Sequence, residues 1–369
     1  MEVVHCDGDG WSRLASDWGE IARASDQWSP FLTPGWVGTW LAHSDGLETE
    51  GLLWRDSRGH PVACGLLSTA AARVSGVPVR RSFLNATGGL EVGSEHNDLL
   101  ATGADVHEQA FGDLVDHLRA KRRTDEFALD GASSRAFQMA RGLWPQGHAD
   151  VRESESPYVD LDAVRKAGEE YLDSLSSNTR YQIRRSIRRY TERFGPPEHR
   201  VAESAAERLH WLDDLVALHE AHWRDQGSSG AFTDGRLEFH RSLIRAATSR
   251  ADDDELRVDI SRLRFGSTTI GLLYHLVFRG RVSFYQSGLD YADDPRLKPG
   301  LVSHAFAIHH FAEQGLREYD FLGGETDPVR YKRSLANARR PLVWARFQEP
   351  SAKMSALEMA RWIRRRIKP

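Results

Sequence analysis

Apolar side chains fall at helical spacing in WSRLASDWGEIARAS, residues 11–25, and TPGWVGTWLAHS, residues 33–44, predicts a second short helix. Thr33 can cap that helix and Pro34 suits its first turn. The pattern then switches to alternation. EGLLWRDS and HPVACGLLSTAA, separated by Arg58-Gly59, read as a hairpin, and VPVRRSFLNA reads as the next strand. A helix over 105–122 and the strand EFALDG follow. The second half repeats this order. ERLHWLDDLVALHEAHWRDQG and DGRLEFHRSLIRAATSR are helices, the latter with Asp234 as a cap. ELRVDISRLRFG and TTIGLLYHLVFRG form a hairpin, RVSFYQSGLD is a strand, GLVSHAFAIHHFAEQG a helix and REYDFLGG a strand.

The halves share element order without sequence identity, which predicts a structural duplication. RESESPYVDLD, polar and interrupted by Pro157, marks a boundary near residue 155. The expected division is 1–155, 156–350 and a basic helix over 351–369. At 369 residues the chain exceeds one ordinary core, which supports two domains. Hydrophobic and charged fractions of 40% and 28% are those of a soluble globular protein. Its apolar runs, such as TIGLLYHLVF, fall well short of the roughly 20 residues of a membrane span. The N-terminus lacks the basic start and apolar stretch of a secretory signal. Cys6 and Cys64 have no metal-site spacing. A cytoplasmic location is expected.

A net charge of −4 excludes a protein that binds nucleic acid through bulk charge alone. Charge is nevertheless concentrated in TRYQIRRSIRRYTER, where Arg184, Arg185, Arg188 and Arg189 accompany an apolar stripe of Ile183, Ile187, Tyr190 and Phe194. These arginines are either a solvated face or a phosphate-binding surface. A second helix mouth draws notice in LKPGLVSH. Pro299-Gly300 there either punctuates a loop or leaves a helix N-terminus bare for an anion.

The run SFYQSGLD, then LKPGLVSHAFAIHHFAEQGLREYDFLGGETDPVRYKRSLA, resembles the C-terminal signature of the GNAT (Gcn5-related N-acetyltransferase) superfamily. Within it the match is to the cellulose-biosynthesis-type acetyltransferase branch, through Tyr285, Pro299-Gly300, Gly315 to Leu322 and Tyr331-Lys332. FLTPGWVGTW, SSNTRYQIRRSIRR and LHEAHWRDQGSSGAF resemble that branch too. The resemblance implies an α/β fold of two tandem GNAT-like domains, similar to the Fem family of aminoacyl-tRNA-dependent transferases. Each domain would be a mixed, mostly antiparallel sheet flanked by helices, with the cofactor cleft in the second. The usual Gln/Arg-x-x-Gly-x-Gly/Ala loop is absent, and RLKPGL stands in its place.

Acyl transfer to an amine needs a donor for the thioester oxygen, a base for the amine proton and an acid for the leaving thiolate. The resemblance places the first between two splayed parallel strands, here 281–289 and 317–323. Gly300, Leu301, Val302 and Ser303 would then face a pyrophosphate, with Lys298 adding charge. Asp320 is the candidate base, or else a structural partner of Arg330 or Lys332. Tyr285 is preferred to Gln286 for the cleft, and Tyr331 is the candidate acid. Lys332 and Arg330 are candidate contacts for phosphate or carboxylate, and His222 and Trp223 for the acceptor. His219 and His222 share a helix face but fall one residue short of a zinc-protease spacing, so no metal is expected. His304, one turn into its helix, is a further cleft candidate.

Acyl-CoA is the expected co-substrate and an amine of a small molecule or saccharide the expected acceptor. A tRNA-borne donor, held through Arg184, Arg185, Arg188 and Arg189, is the alternative. The third reading is a non-catalytic binding protein.

Overall fold

The computed structural model describes the chain except for residues 7–8, 75, 122–123, 145–148, 169, 226, 228–229, 234, 248–254, 292–293, 295, 325–329, 349–350, 357–358 and 360–369. In chain order the first elements are β1 (Glu2–His5), α1 (Gly10–Ala24), α2 (Pro34–His43), β2 (Glu48–Arg55), β3 (Pro61–Val74) and β4 (Val77–Leu84). β5 (Leu100–Ala101), α3 (Ala104–Lys121), β6 (Glu126–Ala132), α4 (Ser134–Leu143) and β7 (Ala149–Asp160) follow. Next come α5 (Leu161–Ala167), α6 (Tyr171–Ser174), α7 (Ser177–Phe194), β8 (Pro197–Val201), α8 (Ala205–Asp225) and α9 (Arg236–Ala246). The chain continues through β9 (Arg257–Phe265), β10 (Thr268–Phe278), β11 (Arg281–Leu289), α10 (Pro299–Glu313), β12 (Glu318–Asp320), α11 (Arg330–Leu335) and β13 (Ala338–Gln348).

Two compact units result: Met1–Ser154 with Pro341–Pro369, and Glu155–Arg340. In the first, strands run in the order β1-β2-β3-β4-β6-β13, with β5 beside β3. Neighbours are antiparallel except β4 and β6, which run parallel from Arg81↔Glu126 to Phe83↔Ala128. Leu52, Phe111, Leu114, Phe127, Leu129, Val343 and Phe347 form its core, fed by the alternating positions of the strands and one stripe of α3. Thr33 caps α2 by accepting from the Trp36 N–H at 3.3 Å, as its position before Pro34 predicts.

Beyond Phe83 and Ala128 the parallel strands of this unit part, and the chain itself fills the opening. Asn97 bridges to Ala132, takes a 2.9 Å bond from its N–H to the Gly131 carbonyl, and accepts from the Ser133 N–H at 2.9 Å. Its side chain accepts from Asn85 Nδ2 at 2.7 Å and donates to the Leu84 carbonyl at 2.9 Å.

The second unit has the order β7-β12-β11-β10-β9-β8. Again one pairing is parallel, β11 with β12 from Arg281↔Glu318 to Ser283↔Asp320, and the others are antiparallel. The strands of the two units therefore share one sequence of pairings. Both parallel pairings open on an ion pair of the same kind, Arg81–Glu126 at 2.6 Å and Arg281–Glu318 at 3.6 Å. α10 covers one face of the second sheet, packing Val302, Ile308 and Phe311 inward. α8 lies on the other face, so close to β11 that a Cβ on Gly288 would run into the Leu215 backbone.

The segment expected as a boundary is strand β7, whose Tyr158–Asp160 pairs with β12. β13 follows α11 in the chain yet pairs with β6, from Val343↔Ala132 to Gln348↔Glu126. Residues 341–350, expected within the second domain, thus begin the return of the chain to the first unit. Asp234 and most of the basic C-terminal helix lie outside the described residues, and α9 starts after Gly235 in a left-handed conformation.

Candidate functional site

β12 is only three residues long because its parallel partner outruns it: the ladder ends at Ser283↔Asp320 while β11 continues to Leu289. The two strands open into a fork at that point. Phe284 and Phe321 are the next residues on either arm, and the His304 ring packs between them, 4.4 Å from the first and 5.1 Å from the second. Past that point the two strands no longer bond each other, which leaves an opening between them of the kind that can receive an extended ligand.

α10 begins beside this fork. Its N-cap, Lys298, makes no side-chain cap, and Pro299 has no N–H to leave unpaired. Gly300 and Leu301 carry first-turn N–H groups that the helix cannot pair internally, at the positive end of its dipole. The Lys298 N–H is held by Ser186 Oγ of α7 at 3.0 Å. Arg185 and Arg189 flank that serine along α7. Arg189 reaches Asp294 at 3.4 Å, and Arg296 reaches the same carboxylate at 2.8 Å. The Arg296 hydrogen bonds hold Asp294 down at about 2. Arg185 stacks over Tyr181 at 5.3 Å, and its Nε has no bond among the described residues. A helix N-terminus with these cations around it is a fit for an anionic group.

On the other side of the fork an aromatic wall runs from solvent to core. Trp223 (37% exposed) and Tyr291 (55% exposed) stand at its outer end. His222 stacks on Tyr291 at 4.3 Å and meets Trp223 edge-on at 5.8 Å. Burial, then proximity to Tyr291, raises the Tyr331 phenol well above its usual range, so it stays protonated. Tyr331 in turn stacks on His304 at 5.8 Å.

The expected site residues divide accordingly. Tyr331, His222 and Trp223 come together through Tyr291, which no local motif had marked. Lys298, Gly300 and Leu301 stand at the anion end. Val302 and Ser303 do not: the Val302 N–H bonds back to the Lys298 carbonyl at 3.1 Å, and its side chain is core. Ser303 Oγ is buried against β10, where a Cβ on Gly271 would meet it. Tyr285 lies on the α9 face, against His240 at 4.8 Å and Tyr274 at 5.3 Å, because a bulge opposite Tyr274 and His275 shifts the alternation. Gln286 Oε1 accepts from the Ser287 N–H at 3.0 Å.

Asp320 is fully buried and tied to β7 by Ser156 Oγ. It also accepts from the Leu322 N–H at 2.8 Å, with Arg340 Nη1 at 3.8 Å. Arg340 is thus a cationic neighbour of Asp320, which the sequence did not mark, and these bonds lock a strand instead of presenting a base. Lys332 Nζ donates to the carbonyls of Phe321 at 2.8 Å and Leu322 at 3.1 Å, bracing one arm of the fork. The side chain of Arg330 lies outside the described residues. His219 commits both nitrogens, to the Ser287 carbonyl at 3.0 Å and the Ala231 N–H at 3.1 Å.

Comparison with known proteins agrees with this layout. The acetyltransferase (GNAT) domain model matches residues 177–333, which span the fork, α7 and α10. The crystal structure of FemX is similar at 10% identity, covering 94% of this chain and 97% of that one, with a TM-score of 0.59. The C-terminal domain of a lysylphosphatidylglycerol synthetase of Agrobacterium fabrum is similar at 12% identity, with 95% and 96% covered and a TM-score of 0.56. A tandem GNAT protein of the clavulanic acid pathway is similar at 11% identity, with 95% and 99% covered and a TM-score of 0.50. No curated protein sequence matches. Residues 177–333 thus match the acetyltransferase (GNAT) domain model, in a chain that has the fold of tandem GNAT proteins.

Proposed function

We propose that the second unit is an N-acyltransferase that takes an acyl group from acyl-CoA and passes it to an amine on a small molecule or saccharide. The observation that carries this reading is the fork between β11 and β12 with the bare N-terminus of α10 beside it. The thioester arm would lie in the fork, where the ladder between the two strands has ended. The pyrophosphate would meet the N–H groups of Gly300 and Leu301, with Arg185 and Lys298 adding charge. Tyr331, protonated at working pH, would give a proton to the departing thiolate. The aromatic wall of Trp223, His222 and Tyr291 would receive the acceptor; stacked rings suit the apolar face of a sugar or another flat group. The first unit would hold no cofactor, since Asn97 occupies the corresponding opening.

The test is Gly300→Pro. It removes one N–H aimed at the anion while keeping a residue tolerated in a first helical turn. Titration calorimetry with acetyl-CoA is expected to show affinity lower by roughly tenfold or more, the loss of one charge-assisted hydrogen bond. Unchanged affinity would remove the anion site.

A second reading, an aminoacyl-tRNA donor, draws support from the outer face of α7. Arg184 and Arg188 are exposed there, the first paired with Asp173 at 3.1 Å and the second only loosely with Glu192 at 3.9 Å. Binding of tRNA through that face would weaken steeply with salt as counterions are released. Acyl transfer from acetyl-CoA in nuclease-treated protein would count against it.

A further inference from the structure

His219 of α8 is bonded at both ring nitrogens, and the two partners fix its tautomer. Nδ1 lies 3.0 Å from the Ser287 carbonyl of β11, which can only accept. Nε2 lies 3.1 Å from the Ala231 N–H, which can only donate. The ring is therefore neutral, with its proton on Nδ1 and a lone pair on Nε2. Ser287 stands at the edge of β11 that faces the fork. Its N–H goes to Gln286 Oε1 at 3.0 Å, so both its main-chain groups turn away from β10, and the β12 ladder has already ended at Ser283.

The chain returns onto this ring through Gly230, at a φ of +71° that a side chain would strain. A Cβ there would also lie 3.1 Å from His219 Cδ2 and 3.6 Å from Trp223 Cδ1. Phe232 is buried edge-on against the imidazole at 5.4 Å. Trp223, one turn further along α8, packs on His219 at 5.9 Å. One imidazole thus joins α8, the free edge of β11 and residues 230–232, in contact with the exposed indole.

We propose that His219 is a positioning residue for the acceptor: its neutral ring seats residues 230–232 and Trp223 at the fork, and protonation of Nε2 releases them. The proposal rests on the acyl-transfer reading above, with the aromatic wall as the place of the amine. His219 itself touches neither the acyl group nor the amine. A proton on Nε2 would face the Ala231 N–H, donor against donor, and that bond would be lost. Burial, the largest influence, lowers the ring from 6.5, so the clasp is closed at neutral pH and opens as pH falls below that value. The titratable groups on its own helix are His222, which lowers it further, and Glu220, which opposes. Ser287 and residues 230–232 bring no ionisable side chain. Behind Phe232 lie His240 of α9 and, against it, Tyr285.

Nitrogen-15 NMR of the whole chain labelled at histidine is expected to show His219 in the Nδ1–H form at neutral pH. An Nε2–H form overturns the proposal. Acetyl transfer from acetyl-CoA is then followed with glucosamine and tryptamine, which offer the wall a sugar face and a flat ring, and with hydroxylamine, which needs no wall. His219→Gln can keep the Ala231 bond and loses the Ser287 bond; His219→Asn does the reverse. Each is expected to raise KM for the larger amine roughly three- to tenfold, the worth of one hydrogen bond, without moving KM for acetyl-CoA. On acidification that KM should climb more steeply in the unaltered protein than in His219→Gln, whose side chain does not titrate; protonation of the amine is common to both and cancels. Equal slopes, or lower thermal stability with KM unmoved, overturn the proposal. If neither variant folds, hydrogen exchange of the unaltered protein decides: protection of the Ala231 amide, corrected for intrinsic rate, should fall on acidification, and constant protection overturns the proposal. Acetylation of hydroxylamine but of neither larger amine removes the wall as acceptor site and overturns this proposal alone. If no amine is acetylated, the acyl-transfer reading falls and takes this one with it.

Discussion

Asp320 lies on β12 and His304 of α10 packs against its neighbours Tyr319 and Phe321, and the surroundings of each decide what it can do. Asp320 accepts from Ser156 Oγ and the Leu322 N–H beside Arg340. Asp320→Asn keeps the shape and weakens those bonds, so unfolding in urea should report a loss of about 1–3 kcal/mol, with turnover of the folded fraction spared. A stable variant with lost turnover would return Asp320 to the chemistry. Three histidines, His240 and His304 buried and His199 half-buried, give stability a pH dependence of definite sign. Burial lowers His199, His240 and His304 from 6.5 to about 3. In the unfolded chain they titrate near 6.5, so between 6.5 and 3 the unfolded state binds more protons. Their neutral burial costs nothing above that window, and stability falls as pH drops through it, by up to about 1.4 kcal/mol per pH unit for each ring. Urea midpoints measured between about pH 7 and pH 4 check the slope, and His199→Phe should reduce it. None of this could be read from residue type. Three histidines on one helix look alike in a sequence, and only the phenol beneath His304 separates it from His309 and His310.

Elements with strong periodicity were legible: α1, α2, α8, α10 and the hairpin of β9 and β10 lie close to where the apolar pattern puts them. β7 and β8 were not. ADVRESESPYVD and PEHRV bury few apolar side chains and are held by main-chain ladders, which leave no hydrophobic signature. β13 shows the opposite problem. LVWARF was visible as an apolar run, but its partner β6 lies more than 200 residues earlier in the chain. The Tyr291 contact was hidden for a similar reason, since it joins a loop to α8. At this scale Gly288 is the sensitive position. Any Cβ there strikes the Leu215 backbone, which cannot rotate away as a side chain would. Gly288→Ala should force α8 off β11 and cost about 1–3 kcal/mol. Urea unfolding of the variant measures it, and an unchanged midpoint would mean the helix can slide.

Two units with the same sequence of strand pairings, each opening its parallel pair with an arginine and a glutamate, are the mark of a duplicated fold. The halves cannot be separated at the polar segment near residue 155, because the first needs β13 to cover β6. A fragment of residues 1–154 is expected to aggregate through the bared edge of β6, and appending residues 338–348 through a flexible linker should restore a folded species by circular dichroism and size exclusion. A well-folded 1–154 fragment would show that β13 is dispensable. The late arrival of β13 also orders events on the ribosome. Domains are commonly completed in the direction of synthesis, N-terminal first. Here the strands of Glu155–Arg340 have all emerged before β13 does, so the part made first is the last to be finished. During that interval its open edge is exposed for the time taken to translate the entire second unit. The chain is therefore most in need of chaperone protection at its oldest segment, not its newest.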